Sequence, residues 1–222
     1  ASFYIILMCG RFASYKNLNK LKNIFNFNNS DFKISPSFNI SPGQDVNIII
    51  NYKHENYFLH SNWGYNFINK NTQNKQAVIN SRIETINTKL LFKDSFLKRK
   101  CIIPANGYFE WCQKEGEKKP YFLQLGEGEL IYFAGVWRKE KYNDDKRRVF
   151  SILTKPANKK ISQIHHRMPI IFNPNDAQEY LDRKDNNLNF DNQEDIDLNY
   201  VEVSKHVNNP KNNDEKCIMA IN

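Results

Sequence analysis

Apolar residues recur along this chain at two spacings, and the spacings separate helices from strands. "SYKNLNKLKNIFNF" puts Leu18, Leu21, Ile24 and Phe25 on one face, the mark of an amphipathic helix, with Ser14 as its expected cap. "TKLLFKDSFLKRK" sets Leu90, Leu91 and Phe92 against Phe96 and Leu97 at helical spacing. "ANKKISQIHH" and "NPNDAQEYLDR" read as two more helices, the second capped by Asn175 or Asp176. Short apolar segments bounded by turn residues read as strands. They are "DVNIIINY", "YFLHSNWGY", "CIIPANGYFEW", "PYFLQL", "LIYFAGVWRKE", "RRVFSILTK" and, alternating near the end, "LNYVEVSKH".

Strands in runs with helices inserted between them predict an α+β fold around a curved antiparallel sheet or open barrel, with flanking helices. A length of 222 residues suits one domain with a sizeable core, and an aromatic content of 14% supplies material for it. Asn-rich stretches such as "NFNNSDF", "NFINKNTQNK" and "VNNPKNNDEK" read as solvated, turn-forming loops. The polar run "DRKDNNLNFDNQEDIDLN" reads as a surface loop rather than a domain boundary. No internal repeat is evident.

Charge and cysteines narrow the classes further. A net charge of +8 suits a polyanionic partner, but it also lies in the range that keeps a small domain soluble. The four cysteines, Cys9, Cys101, Cys112 and Cys217, form no Cys-x-x-Cys pair and have no His at finger-like spacing, which argues against a zinc site. "FYIILM" lacks the length, basic leader and cleavage site of a secretion signal, and no run approaches membrane-spanning length. The expectation is a soluble, intracellular, monomeric protein with reduced thiols, without metal or organic cofactor.

Four stretches carry polar or reactive residues in rigid, small or aromatic settings: "MCGRF", "INSRIET", "PANGYFEW" and "IHHRMP". Singly each has a plain structural reading. A Cys beside Gly is usually a small buried hydrophobe, a Glu between aromatics the wet face of a strand, and a His at a helix end a cap. Taken together and in this order, with "FNISPGQDV", "WGY", "FAGVWR", "ILTKPAN" and the "RMPIIF" tail, they resemble the SRAP (SOS response-associated peptidase-like) family from Met8 to about Leu181. The Asn-rich inserts and the C-terminal region match only loosely.

The resemblance implies an α+β domain with a barrel-like core, a basic groove for single-stranded DNA, and covalent crosslinking to abasic sites in the DNA damage response. It places the nucleophile on Cys9, an active-site Asn on Asn80, a Glu on Glu110 and a His on His165. His165 is preferred to His166 because the pattern is His-x-Arg-Met-Pro. Toward the DNA, with a single-strand/double-strand junction as one possible site, it implies Arg11, Arg82 and Arg167 for flanking phosphates and Pro42 as a wedge. Thr154, in the shared "ILTKPAN" motif, is a further DNA-binding candidate, and Trp63 and Trp111 are candidates for base stacking, with core packing as the competing reading. Arg138 and the run "KRRVF" are weaker candidates. The compartment implied is nuclear in a eukaryote and cytoplasmic in a bacterium.

These residue types suit the chemistry. An abasic sugar is in part an open-chain aldehyde. An N-terminal Cys offers an α-amine of pKa near 8, against about 10.4 for Lys, to form an imine, and an adjacent thiol to close it into a thiazolidine. Glu110 is assigned proton shuttling, His165 proton donation to the sugar oxygen, and Asn80 alignment of the reactants. All this needs Cys9 to be the first residue, so residues 1–8 are expected to be a leader absent from the active form and 9–222 the domain. The leader is read as an upstream start or a cloning remnant, or as a segment trimmed by a protease or by Cys9, Glu110 and His165 themselves. Two other functions remain: a thiol autopeptidase whose substrate is its own leader, and a non-covalent reader of single-stranded or modified DNA.

Overall fold

The computed structural model describes residues 9–28, 35–68, 75–185 and 196–221. The expected leader, residues 1–8, and most of "DRKDNNLNFDNQEDIDLN" lie outside them. In chain order the strands are β1 (Phe12–Ser14), β2 (Ser37–Ile40), β3 (Asp45–Tyr52), β4 (Glu55–Trp63), β5 (Tyr65–Ile68), β6 (Lys75–Val78), β7 (Asn80–Arg82) and β8 (Lys100–Ala105). They continue with β9 (Gly107–Lys114), β10 (Glu117–Gln124), β11 (Ile131–Tyr142), β12 (Asp145–Pro156), β13 (Arg167–Pro169), β14 (Ile171–Phe172) and β15 (Asn199–Glu202). The helices are α1 (Leu21–Phe25), α2 (Lys93–Lys98) and α3 (Pro174–Asp182). The architecture is α+β, with strands dominating.

Strands β12, β4, β3, β8 and β11 pair in that order, and β11 pairs back onto β12. The expected open barrel is therefore a closed five-stranded ring. Four of its five pairings are antiparallel. The fifth, β4 with β12, is parallel and sets Asn62 and Trp63 beside Val149 and Phe150. Closure removes the free edges that an open sheet leaves unpaired. A second sheet, ordered β15-β10-β9-β1-β2, packs against the ring.

Alternation along the ring strands sorts their side chains into two cores. Ile48 and Ile50, Cys101 and Ile103, Phe133, Phe150 and Ile152 point inward, and meet Phe12 and Tyr108 from the second sheet. Ile49, Ile102, Ala134, Val136 and Val149 point outward and are covered by Leu21 and Phe25 of α1, Phe96 of α2, and Ala177 and Tyr180 of α3.

Several local expectations change in the tertiary structure. Ser14 caps no helix; it ends β1, and its hydroxyl donates to the Pro104 carbonyl at 3.2 Å. The first helix is one short 3-10 turn followed by α1, and Ile24 is exposed. Leu90 is exposed as well, because α2 begins only at Lys93, and Leu97 within α2 is also exposed. "ANKKISQIHH" yields a single 3-10 turn, Ile161–Gln163. Helix α3 is capped by Asn173, whose side chain accepts from the Asp176 N–H at 2.9 Å, with Pro174 opening the first turn. "CIIPANGYFEW" is two strands, not one, broken at Asn106.

That break is a latch. The Asn106 side chain is fully buried; its Oδ1 accepts from the N–H groups of Tyr15 and Lys16, and its Nδ2 faces the carbonyls of Lys16, Gly128 and Glu129. The C-terminal "VNNPKNNDEK" is likewise not a loose loop. Asn39 donates to the carbonyls of Val207, Asn209 and Asn212, and Asn213 accepts from Ser37 and Phe38, docking the segment on β2.

Candidate functional site

Strand β1 pairs with β9, Phe12 opposite Tyr108, and the Phe109 N–H donates to the Arg11 carbonyl at 2.9 Å. The chain before β1 thus runs along β9, and the Cys9 backbone N–H reaches Glu110, donating to its Oε1 at 2.7 Å. Gly107 makes the other side of this arrangement possible. A Cβ there would collide with the Leu123 carbonyl and the Phe122 ring of β10. Tyr108, Glu110 and Cys112 alternate onto one face of β9, beneath Cys9, in the inner core. The Cys112 Sγ–H donates to the Gln163 carbonyl at 3.5 Å and so ties the turn preceding His165 to this face.

Burial governs the electrostatics here. Glu110 is only 2% exposed, and burial pushes its carboxyl up to about 8, against the backbone N–H bonds and the Lys118 charge that oppose the shift. The Cys9 thiol is pushed up by burial and then by Glu110. Next to it stands a carboxyl, not the cation that would make a thiolate. Tyr108 carries a buried hydroxyl that has no hydrogen-bond partner among the described residues, and burial, with Cys9 and Glu110 adding to it, pushes its pKa up.

His165 is half-buried and His166 exposed, with their rings 4.3 Å apart. The Nδ1 of His165 is pinned to the Arg167 backbone, 3.1 Å from its N and 3.2 Å from its O. Its Nε2 is buried and has no partner among the described residues. Burial lowers its pKa, with His166 and Lys118 adding to the effect, so the ring is neutral at pH 7. Asn80 opens β7 opposite Ile152, and Ile79 before it belongs to the core cluster that holds Cys9. Cys9 and Glu110 are thus in direct contact, His165 lies two residues beyond Gln163, which Cys112 holds to the same face of β9, and Asn80 sits beside Ile152 of β12.

The residues expected to face DNA divide. Arg82 is exposed at the end of β7, and Pro42 half-exposed in the loop between β2 and β3. Trp111 is half-buried, its indole N–H donating to Asn208 at 2.8 Å. Arg11 lies 5.8 Å from its ring and donates to Asn39 at 2.7 Å and to the Val207 carbonyl at 2.8 Å. Three assignments need correction. Trp63 is a core residue: fully buried, stacked on Phe150 at 6.2 Å, and bonded through its indole N–H to the Ile79 carbonyl. Thr154 is fully buried. Arg167 is an internal strut that clasps Glu84 with both terminal nitrogens and donates to Thr154 O at 2.8 Å and Thr154 Oγ1 at 3.2 Å.

Sequence reasoning missed Tyr108, Cys112, Lys118 and Asn106. The first two stand two residues either side of Glu110, so strand alternation could have found them; Lys118 is brought in by β10 and had no local signal. The four cysteines are free and buried. Apart from this site, His206, Asp214 and Cys217 bring potential ligand atoms within 4.8 Å of one another, with His206 Nε2 at 3.0 Å from Asp214. Fixed-spacing patterns do not detect such a set. No helix among the described residues is long and apolar enough to cross a membrane.

The family model for SOS response associated peptidase (SRAP) matches residues 8–210. The abasic site processing protein YoqW of Bacillus subtilis is 29% identical over 225 residues, covering 95% of this chain and 99% of that protein. The abasic site processing protein YedK of Escherichia coli is 31% identical over 181 residues, covering 78% and 79%. A crystal structure of a Bacteroides thetaiotaomicron protein superposes with a TM-score of 0.77 at 20% identity, covering 96% of this chain and 100% of that one, a likeness of fold.

Proposed function

Since the chain belongs to the SRAP family, we propose that it processes abasic sites in single-stranded DNA, forming a thiazolidine crosslink through Cys9 in a form that begins at that residue. The observation that carries this reading is the 2.7 Å bond from the Cys9 nitrogen to Glu110. The nitrogen required as nucleophile lies against a carboxyl that can exchange protons with it.

The α-amine attacks the aldehyde carbon of the ring-opened sugar and gives a carbinolamine. Glu110, a buried carboxyl whose acidity burial weakens, takes a proton from the nitrogen and returns one to the departing hydroxyl, which leaves as water. The Cys9 thiol adds to the imine carbon, its proton passing to the nitrogen, and the five-membered ring closes. One water is lost overall. His165, neutral and with an unpartnered Nε2, is assigned to the sugar ring oxygen during opening, and Asn80 to alignment of the aldehyde. Arg82, Pro42 and Trp111 are the expected residues still presented toward a strand; Arg11 acts through Trp111 and the C-terminal segment.

The backbone at Cys9 supports both this reading and a second. Its φ is +36°, a left-handed value that a non-glycine residue holds at a cost of about 1–3 kcal/mol. In a chain that begins at Cys9 this torsion does not exist, and the strain goes with it. While residues before Cys9 are attached, the strain and the Glu110 carboxyl both bear on the same peptide nitrogen, the leaving group in removal of a leader. Autoproteolysis by the thiol is the second reading.

The test is an intact mass after incubation with an oligonucleotide carrying one abasic site. The chain begun at Cys9 should gain the oligonucleotide mass less one water, and Cys9→Ala should bind without an adduct. No adduct on the Cys9-initiated chain, or an equal yield from Cys9→Ala, overturns the crosslinking reading. Loss of residues 1–8 from the full chain, absent in Cys9→Ala, supports autoproteolysis.

A further inference from the structure

Beyond the ring, β11 and β12 continue as a two-stranded ribbon. Strand β8 pairs with β11 only from Ile131 to Val136, and β4 pairs with β12 only at Val149 and Phe150. From Arg138 to Arg148 the two strands pair with each other alone among the described residues. Residues directly opposite share a face, so register alone sorts the charges.

The two faces differ sharply. On the outer face Glu140 stands opposite Arg147; Arg138 pairs with Glu140 at 2.6 Å and Arg147 with Asp45 at 3.3 Å. That face also rests against β5, where the Asn66 N–H donates to Glu140 at 3.0 Å. On the inner face Lys139 stands opposite Arg148, and Lys141 opposite Lys146. Like charges directly opposite destabilise a sheet, and none of these four has an acidic partner within ion-pair distance among the described residues. The nearby acids do not relieve them. Asp145 lies opposite Tyr142, on the outer face, and Asp144 lies in the tip turn. Lys139, Lys141 and Lys146 are exposed, and at the root Arg148 stacks over Trp137 at 5.4 Å.

We infer that the inner face of this ribbon is a DNA-backbone clamp, in which Lys139, Lys141, Lys146 and Arg148 take the phosphates of the strand leading away from the lesion. Two adjacent rows of cations without acidic partners among the described residues, about 7 Å apart along the ribbon, with Arg148 also donating to the His60 carbonyl at 2.9 Å, form a phosphate-binding ladder that folding itself disfavours. A polyanion supplies the missing counter-charge. Placement fits: Arg148 precedes Ile152, the partner of Asn80, by four residues on the same strand, about 13 Å. This inference rests on the proposed action on DNA and adds a second contact to it.

The test is non-covalent binding to oligonucleotides without an abasic site, single-stranded and junction-containing, across a salt series. The triple variant Lys139→Gln, Lys141→Gln, Lys146→Gln is compared with Lys20→Gln, Lys22→Gln, Lys93→Gln, which removes equal charge elsewhere. The ribbon variant should flatten the dependence of log affinity on log salt by about 2, at about 0.7 per cation for single strands. Over a fourfold rise in salt the full chain then loses about 20-fold more affinity than the variant. Its melting temperature should hold or rise, because the repulsion is gone, and that separates lost contact from lost fold. A larger effect on the junction oligonucleotide identifies duplex phosphates as the contact. An unchanged slope with the control variant equal to it overturns the clamp, while adduct formation by the Cys9-initiated chain leaves the catalytic reading standing. Absence of any binding by the full chain removes both.

Discussion

Glu110→Gln isolates the effect of placing a carboxyl beneath Cys9. Burial raises this carboxyl from 4.5 to about 8. Between those values the folded protein keeps a proton that the unfolded chain releases, so folding stability falls as pH rises through this window. At 1.36 kcal/mol per unit, the full penalty is about 5 kcal/mol, reached near pH 8 and constant above it. Gln keeps the shape and an oxygen to accept the Cys9 N–H but does not ionise. Urea unfolding of the 222-residue protein and its Glu110→Gln variant, followed by tryptophan fluorescence from pH 5 to 9, reads the difference directly. The variant should gain on the parent steadily between pH 5 and 8, by several kcal/mol, and then run parallel. Curves whose separation changes by less than about 1 kcal/mol over that range refute the buried, proton-holding Glu110. A chain begun at Cys9 supplies the control: its ammonium at the same position favours the carboxylate and should shrink the slope.

Other parts of the site make separate predictions. Asn106→Ala removes the latch between β1, the β8–β9 turn and the loop at Gly128; it should cost about 3 kcal/mol or more in denaturant unfolding, and a cost under about 1 would mean the latch is redundant. Arg167→Ala should destabilise by about 2 kcal/mol or more, because Thr154 O and Glu84 lose their donor, whereas an exposed phosphate ligand would leave the melting temperature unchanged. Tyr108→Phe deletes a buried hydroxyl that has no partner among the described residues, so thermal unfolding should stay equal or rise by up to about 1 kcal/mol; a loss would reveal a missing partner.

Read alone, the sequence determined the strand-rich α+β class and the limits of β3, and it put forward Cys9, Asn80, Glu110 and His165 as candidates. These rest on local periodicity and on motif order, which are properties of the linear chain. Tertiary structure decided what depends on distant partners. The parallel β4–β12 contact that closes the ring joins residues far apart in sequence, and no local pattern encodes it. Trp63 and Trp111 sit in comparable aromatic settings, yet ring closure buries one fully, while the other lies half-buried in the second sheet beside Arg11 and Asn208. Arg167 lies within a motif expected to face DNA, but Glu84 and Thr154 draw its guanidinium inward. The alternation of "GYFEW" assigned Glu110 to a face of its strand. Only the path of the residues before β1 made that face the buried one, and burial is what sets the acidity of Glu110 against the Cys9 nitrogen.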